Sequence, residues 1–374
     1  MRPRDVAGLV LPGGERAARI AWARLVEPEH RAVAERIARL GAEEALQSLD
    51  LASPLGRQVM PRLEQLDVAR DLEIARRTGL RLLVPGDNEW PAGLDDLDIP
   101  PWCLWVTGPL NLAKQAERSV SVVGARAATP YGTRQAQDLG AGLAERGVCV
   151  VSGAAYGIDG AAHRGALGVE GPTIAFTAGG VDRPYPRGHD GLFALLRRHG
   201  LVVSELPPGH APTRSRFIAR NRLIATVSQG TVVVEAGLRS GSSSTARKAA
   251  QHQRVLCAVP GSVESAVSAG CHQLIRDENA VLVTDAHEVM EAVGPIGLLA
   301  PQKRGDQRPA DGLDPVQGAV YDALPVRRPA SVDELAVRAG LDARQVTSAL
   351  GLLSLAGLSR QESSGWRKAR QPST

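Results

Sequence analysis

The chain has 374 residues, about twice the usual size of one domain, so a central domain with smaller appendages is expected. Its composition, 43% apolar and 22% charged with 3% aromatic residues, is that of a soluble protein with an aliphatic core, and a net charge of +4 leans towards a polyanionic partner but equally serves solubility. No apolar run approaches the roughly 20 residues that span a bilayer, the first five residues lack the apolar core of a signal peptide, and the cysteines are scattered. We therefore expect a cytoplasmic protein with no membrane partner.

The first 80 residues predict a small helical module. Residues 15–76 are rich in Ala, Leu, Arg and Glu, with apolar residues such as Leu25 and Ile37 at helical spacing. Residues 81–118 predict a connecting segment, because its prolines exclude long helices and favour turns around a short strand. We interpret its tryptophans as packing residues: Trp90, Trp102 and Trp105.

From residue 119 to about residue 293, short β-rich runs alternate with helical stretches. The seven runs are Ser119–Val123, Val148–Val151, Thr173–Phe176, Leu201–Val203, Thr231–Val234, Arg254–Ala258 and Ala280–Val283. Continuous apolar strands of this kind are typical of parallel sheets that are covered on both faces. We therefore predict an α/β fold for residues 81–294, with a doubly wound, mostly parallel Rossmann-like sheet.

The C-terminal part predicts a linker and a third domain. Residues 295–313 are rich in Pro, Gly, Gln and charge without periodicity, which predicts a flexible linker. Residues 314–374 predict a winged-helix domain, with Ala343–Ala356 in the position of a recognition helix and a possible β-wing after it. Its three predicted helices are Val316–Leu324, Val332–Ala339 and Ala343–Ala356.

Small-residue turns follow three of the predicted strands. In a doubly wound sheet, ligands bind beyond the carboxyl ends of the strands, where backbone amides and helix N-termini face an anion. The turns are Gly124–Thr129, Ser152–Asp159 and Ser240–Thr245. One glycine-rich turn is weak evidence, because close packing of a helix on a sheet also needs glycine. Three turns in one sheet predict a shared binding edge.

Four arginines occur within residues 214–222, which is the strongest local signal in the chain. Helical spacing places Arg216 and Arg220 on one face, where they repel each other unless a phosphate or carboxylate lies between them. The alternative interpretation is a solvated basic face.

Sequence signatures of enzymes are missing. The chain contains no G-x-G-x-x-G, no G-x-x-x-x-G-K-[ST] and no G-x-S-x-G, which argues against dinucleotide, NTPase and hydrolase sites. Asp159 and His163 stand four residues apart without a third ligand nearby, so a structural pair is favoured over a metal site. For Glu235 a ligand role and a loop-fixing hydrogen bond fit equally well, and for Glu205 loop fixing is favoured. We expect no catalytic residue, cofactor or metal.

The succession of loops resembles the DNA-processing protein A (DprA/Smf) family over about residues 82–293. The resemblance rests on the order and spacing of these pieces: Val122–Arg126 with Tyr131-Gly132, Val151–Ala166, Tyr185-Pro186, Ser204-Glu205, Arg220–Arg222, Val234–Ala236, Ser240–Ala246 and Ala258–Gly261. The N-terminal helices also resemble the family's sterile-alpha-motif module, and the C-terminal part resembles its winged helix.

This resemblance implies a protein that binds single-stranded DNA, helps to load the RecA recombinase onto it during natural transformation and recombination, and forms a homodimer through the Rossmann-like domain. Carried over motif by motif, the predicted DNA-binding residues are Gly124, Arg126, Ser152, Gly153, Tyr156, Arg220, Asn221, Arg222, Ser240, Gly241, Ser242 and Lys248. Tyr156 stands where many members have arginine, so a guanidinium is lost, but its ring could stack on a base for about 1 to 3 kcal/mol. Ile218, where members have proline, is a second departure, and Phe217 is a second candidate for stacking.

Two other functions fit the same folds. Nucleoside-monophosphate phosphoribohydrolases resemble the α/β domain, but their P-G-G-x-G-T-x-x-E signature is absent from residues 235–242. A transcription regulator would read duplex DNA with the recognition helix, whose contact residues form a thin set: Arg344, Gln345, Thr347 and Ser348. Both functions stand as alternatives to a non-enzymatic protein that binds a single strand.

Overall fold

The computed structural model describes residues 13–238, 240–294 and 312–369, together with the backbone of a short hairpin formed by β1 (Asp5–Val6) and β2 (Leu9–Val10). The chain forms two compact units, residues 1–300 and residues 301–374. The predicted linker, residues 295–313, lies outside the described residues except for its last two positions. None of the helices in the described ranges has the length and apolar character needed to cross a bilayer.

The N-terminal part of the first unit is helical. Ser53 and Asp67 cap two of its helices by accepting backbone N–H bonds, as short polar side chains do at helix starts. Trp22 is fully buried and shares one hydrophobic core with Trp102 and Trp105 of the connecting segment, so the helices are packed firmly on the sheet. The helices are α1 (Glu15–Leu25), α2 (Arg31–Leu40), α3 (Ala42–Gln47), α4 (Pro54–Leu63) and α5 (Val68–Thr78).

A nine-stranded sheet follows, and it confirms the predicted mostly parallel α/β fold. Its strands are β3 (Arg81–Leu83), β4 (Leu104–Thr107), β5 (Ser119–Val123), β6 (Cys149–Ser152), β7 (Thr173–Phe176), β8 (Leu201–Ser204), β9 (Gly230–Val233), β10 (Val255–Ala258) and β11 (Val281–Leu282). The strand order is β11-β10-β9-β5-β6-β7-β8-β4-β3. All pairs from β11 to β8 are parallel, whereas β4 and β3 add an antiparallel edge. The connecting segment thus holds two short strands where the sequence predicted one.

Helices cover both faces of this sheet. Successive strand residues point to opposite faces, so Val150 packs with Leu139 in one core cluster while Val151 packs with Leu223 in another. Thr129 caps the helix that begins at Pro130, as expected for a proline in the first turn. The helices are α6 (Leu112–Glu117), α7 (Pro130–Ala144), α8 (Ile158–Gly168), α9 (Asp190–His199), α10 (Arg214–Val227), α11 (Gly241–Gln251), α12 (Ala269–Asp277) and α13 (Ala286–Val293).

The strand order reverses between β5 and β9. Strands β6, β7 and β8 extend the sheet on one side of β5, and strands β9, β10 and β11 extend it on the other. In open α/β sheets this switch point, beyond the carboxyl ends of the strands, is where ligands bind. The predicted turns after β5, β6 and β9 all lie at this edge.

The second unit is a three-helix domain with a two-stranded wing. Capping boxes at Ser331 and Asp342 start its second and third helices, and Val320, Leu335 and Leu350 form its own core. The observed bounds lie within about two residues of the sequence prediction, which is the usual uncertainty at helix ends. Its elements are α14 (Pro315–Ala323), α15 (Val332–Ala339), α16 (Ala343–Leu355), β12 (Ser359–Glu362) and β13 (Gly365–Lys368).

Candidate nucleic-acid interface

The turn after β5 is packed too closely to tolerate a side chain at its first position. A Cβ on Gly124 would lie 2.6 Å from the Ile158 side chain and 2.8 Å from the carbonyl oxygen of Glu235. The same carbonyl accepts the Ala125 N–H at 2.7 Å, which ties the turns after β5 and β9 together across the switch point. Arg126 is exposed beyond this junction, so its guanidinium is available to solvent.

The turn after β6 is held from within. The Ser152 hydroxyl donates to the Val122 carbonyl at 2.6 Å, and the Asp159 carboxylate accepts the N–H groups of Gly153 and Ala155. A Cβ on Gly153 would lie 2.1 Å from Nη1 of Arg220, so only glycine leaves room for that guanidinium. Ser152 and Gly153 therefore shape the turn by their packing.

Arg220 lies beneath this turn, with only 4% of its surface exposed. Its Nη1 donates to the Phe176 carbonyl at the end of β7 at 2.6 Å, while its Nε has no hydrogen-bond partner among the described residues. Burial lowers the pKa of Arg220 to about 10, and Asp159 acts in the opposite direction. The side chain is therefore a cation at neutral pH and adds positive potential to the strand ends.

An aromatic ring lies between this buried arginine and the exposed one. The Phe217 ring centroid is 4.8 Å from the guanidinium carbon of Arg126 and 5.9 Å from that of Arg220. The Tyr185 ring packs against Phe217 with a centroid distance of 5.6 Å, and Tyr185 is 48% exposed. We call Arg126, Tyr185, Phe217 and Arg220 the aromatic–arginine cluster. It combines cationic groups and ring faces at the carboxyl ends of the strands.

Tyr156 and Tyr185 differ in how far the sequence revealed them. Tyr156 is 49% exposed and packs edge-on against His189 at a centroid distance of 4.9 Å, so its ring face is accessible as predicted from its turn. The sequence identifies Tyr185 only as part of the Tyr185-Pro186 motif. It does not place this residue at the strand ends, because Tyr185 lies nine residues beyond the end of β7. Its contact with Phe217 became visible only in the folded chain.

The turn after β9 opens α11 with hydroxyl groups that bond mainly to one another. The Ser240 side chain accepts the N–H of Ser243 and lies 2.8 Å from the Ser242 hydroxyl. Asn221 on α10 donates to the Gly241 carbonyl at 3.4 Å, which joins α10 to this turn. The Gly241 and Ser242 amides in the first turn of α11 have no acceptor within the helix, so they are suited to an anion.

Two predicted cations are instead committed to carboxylates. Arg222, a predicted DNA-binding residue, is 2% exposed and donates to Glu205 at 2.7 Å. Lys248 lies 3.8 Å from Glu29 of the helical part, and the Arg222 Nε lies at the same distance from that carboxylate. Both cations therefore stabilise the packing of the helical part on α10 and α11.

The remaining predictions concern two glutamates and the pair formed by Arg216 and Arg220. Arg216 and Arg220 do not share an anion, because Arg216 bonds to Glu27 while Arg220 points under the turn after β6. Glu235 accepts the N–H and hydroxyl of Thr129, and it is 2% exposed, which favours loop fixing over a ligand role. Glu205 holds Arg222, in line with its expected structural role.

Asp159 and His163 engage different partners. Asp159 caps the turn after β6, and the buried His163 ring lies 2.7 Å from the Thr173 hydroxyl. Within the part of the chain that the structure describes, no cluster of three or more potential metal ligands occurs.

Comparisons with known proteins converge on one family. A family model described as "DNA recombination-mediator protein A" matches residues 81–294, and one described as "DprA winged helix domain" matches residues 304–365. A "Putative DNA processing protein DprA" of Mycobacterium tuberculosis is 46% identical over 371 residues, which cover 94% of each chain. The structure of DNA processing protein A from Streptococcus pneumoniae matches with a TM-score of 0.63 and 30% identity, over 75% of this chain and 99% of that chain. A structure of DNA processing protein A from Helicobacter pylori, which gives insight into that protein's single-stranded DNA binding mode, matches with a TM-score of 0.51 and 29% identity, over 57% of this chain and 94% of that chain.

Proposed function

This chain belongs to the DNA-processing protein A (DprA/Smf) family, and from that premise we propose that it binds single-stranded DNA beyond the carboxyl ends of β5, β6 and β9, without catalysis. The observation that carries the proposal is the aromatic–arginine cluster, which sets an exposed guanidinium and two aromatic rings at one edge of the sheet. The single-stranded DNA binding mode described for the Helicobacter pylori protein supports the choice of a single strand as the ligand.

The cluster suits both parts of a nucleotide. Arg126, the positive potential of Arg220 and the amides of the turns attract phosphates. Tyr185 and Tyr156 are exposed and offer ring faces, and stacking of a base on such a ring is worth about 1 to 3 kcal/mol. The Phe217 ring instead packs between the two guanidinium groups and supports Arg126 and Tyr185. Since every base has a stacking face, binding is sequence-tolerant, and since phosphates are neutralised, it weakens as salt rises. Arg222 is buried against Glu205, so in the proposed contact it acts through packing, whereas Lys248 is 31% exposed and remains a candidate phosphate contact.

The rival phosphoribohydrolase function lacks a catalytic carboxylate at the corresponding turn. Glu235 is buried, and both of its carboxylate oxygens accept bonds from Thr129. A group held in this way fixes the loop and is shielded from a substrate. Incubation with AMP tests this part, and release of adenine by the pure protein would restore the enzyme hypothesis.

The family also supports finer proposals. We propose that the chain acts as a homodimer and that it loads RecA onto single-stranded DNA in transformation and recombination. RecA loading is measured as the lag before RecA begins to hydrolyse ATP on an oligonucleotide that is covered by a single-strand-binding protein. No gain from adding this protein would refute that role while leaving single-strand binding untouched.

The central experiment measures binding of a labelled oligonucleotide by fluorescence anisotropy at two salt concentrations. We expect Arg126→Ala to weaken binding about tenfold and to reduce the salt slope by about one, because one phosphate contact is lost. The matched control is Arg198→Ala, since Arg198 is an exposed arginine on α9 near the amino end of β8. Equal effects of the two substitutions would place DNA elsewhere and refute the proposed site.

A further inference from the structure

The start of α10 presents Phe217 to the proposed interface but has few anchors of its own. Arg214, Ser215 and Ile218 are exposed, and buried side chains begin only at Ala219. The Thr213 side chain caps this end, but its contact with the Arg216 N–H is long, at 3.4 Å. A helix end without buried contacts frays readily, so a further contact is needed to fix the Phe217 ring.

The helical part of the chain supplies that contact through Glu27. Its carboxylate accepts two bonds from Arg216, at 2.8 Å from Nε and 2.9 Å from Nη2. The third guanidinium nitrogen, Nη1, donates to the Ala211 carbonyl at 2.7 Å, just before the helix. Arg216 is only 13% exposed, and its hydrogen bond holds the pKa of Glu27 below its usual value, so the pair is charged at neutral pH. Such a two-bond pair restricts orientation as well as distance.

A second contact from the same stretch of chain holds the loop before α10. Arg24, near the end of α1, donates to the Pro208 carbonyl at 2.9 Å and lies 3.4 Å from Nδ1 of His210. The buried Asp71 orients Arg24 by accepting bonds from two of its nitrogens. Arg24 and Glu27 therefore grip the loop and the helix start on either side of Thr213.

We propose that Arg24 and Glu27 are positioning residues for single-strand binding, which hold the start of α10 so that the Phe217 ring stays between Arg126 and Arg220. This inference rests on the proposed function and extends it, because it gives the N-terminal helices a role in DNA affinity without any contact to DNA. The helical part and the sheet then act as one binding unit.

The direction in which one substitution changes DNA affinity tests the inference. Glu27→Gln keeps the shape of the side chain but removes a negative charge, which by itself favours DNA. If Glu27 positions α10, we expect weaker binding in the full chain, by about fivefold, as loss of an ion pair worth about 1 kcal/mol predicts. The control is Glu35→Gln on α2, an exposed site with the same charge change, for which we expect equal or slightly tighter binding. Tighter binding of both variants would overturn the inference.

A double-mutant cycle separates positioning from a general loss of stability. Phe217→Leu removes the ring through which Glu27 acts, so Glu27→Gln should weaken binding little further in that background. Equal effects of Glu27→Gln in both backgrounds would instead indicate a role unrelated to the ring and would contradict the proposal.

Hydrogen exchange tests, in the absence of DNA, whether Glu27 holds the start of α10. We expect Glu27→Gln to speed amide exchange at residues 217–219, the first amides that bond within α10, while leaving the core strand β5 unchanged. Unaltered exchange at those residues would contradict the proposed positioning role of Glu27. If wild type does not bind the oligonucleotide but Glu27→Gln still speeds exchange, the proposed function alone is refuted.

Discussion

His163 shows how one buried side chain couples the fold to pH. Its Nδ1 lies 2.7 Å from the Thr173 hydroxyl, whose own proton is donated to the Val150 carbonyl at 2.7 Å. The hydroxyl oxygen therefore accepts from Nδ1–H, and the imidazole is neutral with a bare Nε2. That Nε2 is buried and has no hydrogen-bond partner among the described residues. Burial lowers the pKa of His163 to about 3.

Because of this residue, we expect the free energy of unfolding to decrease as the pH is lowered. Below its ordinary pKa of 6.5, His163 takes up a proton in the unfolded chain but stays neutral in the folded chain down to about pH 3. The unfolded state then binds more protons, so the free energy of unfolding decreases by about 2 kcal/mol from about pH 7.5 to about pH 5. Urea unfolding of wild type and of His163→Gln at both pH values measures this term.

The variant should lose this part of the pH dependence even if its absolute stability is lower. His199→Gln is the control, because His199 is exposed and is expected to leave the pH dependence unchanged. If wild type and His163→Gln respond equally to pH, the buried neutral imidazole does not control this behaviour.

At the scale of the element, three of the four arginines of α10 make different contacts. Arg216 and Arg222 bond to Glu27 and Glu205, whereas Arg220 points under the turn after β6. The sequence revealed the concentration of arginines and the three glycine-rich turns, because both are local patterns. It could not separate the roles, because the partners lie as far away as 189 residues along the chain. The contact between Tyr185 and Phe217 was also not predictable, because these residues lie on separate segments of the chain.

The edge strand β11 is the element that best suits the proposed homodimer. Among the described residues it pairs only with β10, and its Val281 and Leu282 are 46% and 49% exposed. An apolar edge with unpaired backbone groups attracts a second chain. We expect Leu282→Glu to weaken self-association by about tenfold or more, since a charge would have to be buried at the contact.

Light scattering after size-exclusion chromatography over a concentration series measures the change. Leu195→Glu on α9 is the matched control, because Leu195 has a similar exposure of 47% on a different element. A dimer that survives Leu282→Glu, or is lost equally in the control, would show that the chain associates through another surface.

At the scale of the whole molecule, the two compact units divide the surfaces suited to DNA. In the second unit, α16 starts at an acidic cap, Asp342, and the exposed side chains Leu352 and Leu355 occupy its C-terminal half. On the wing, Arg367 bonds to Glu362 and Lys368 lies over the Tyr321 ring. Five arginines of this unit are nevertheless exposed and form no ion pair among the described residues: Arg327, Arg328, Arg338, Arg344 and Arg360. The unit therefore offers cations to phosphates, but sequence-specific reading of a major groove also needs polar groups along the recognition helix.

We therefore expect the full chain to prefer a single strand over duplex by about tenfold or more, because accessible bases add stacking to the phosphate contacts, and we expect residues 1–294 to keep this preference. Anisotropy competition with unlabelled single-strand and duplex oligonucleotides of one sequence measures both ratios. Truncation after residue 294 removes the second unit, which has its own core, and leaves the core of the first unit intact. A preference for duplex that disappears with this truncation would instead support a regulator that reads DNA through its winged helix. Loss of single-strand binding with duplex binding unchanged would move the proposed interface from the sheet to the second unit.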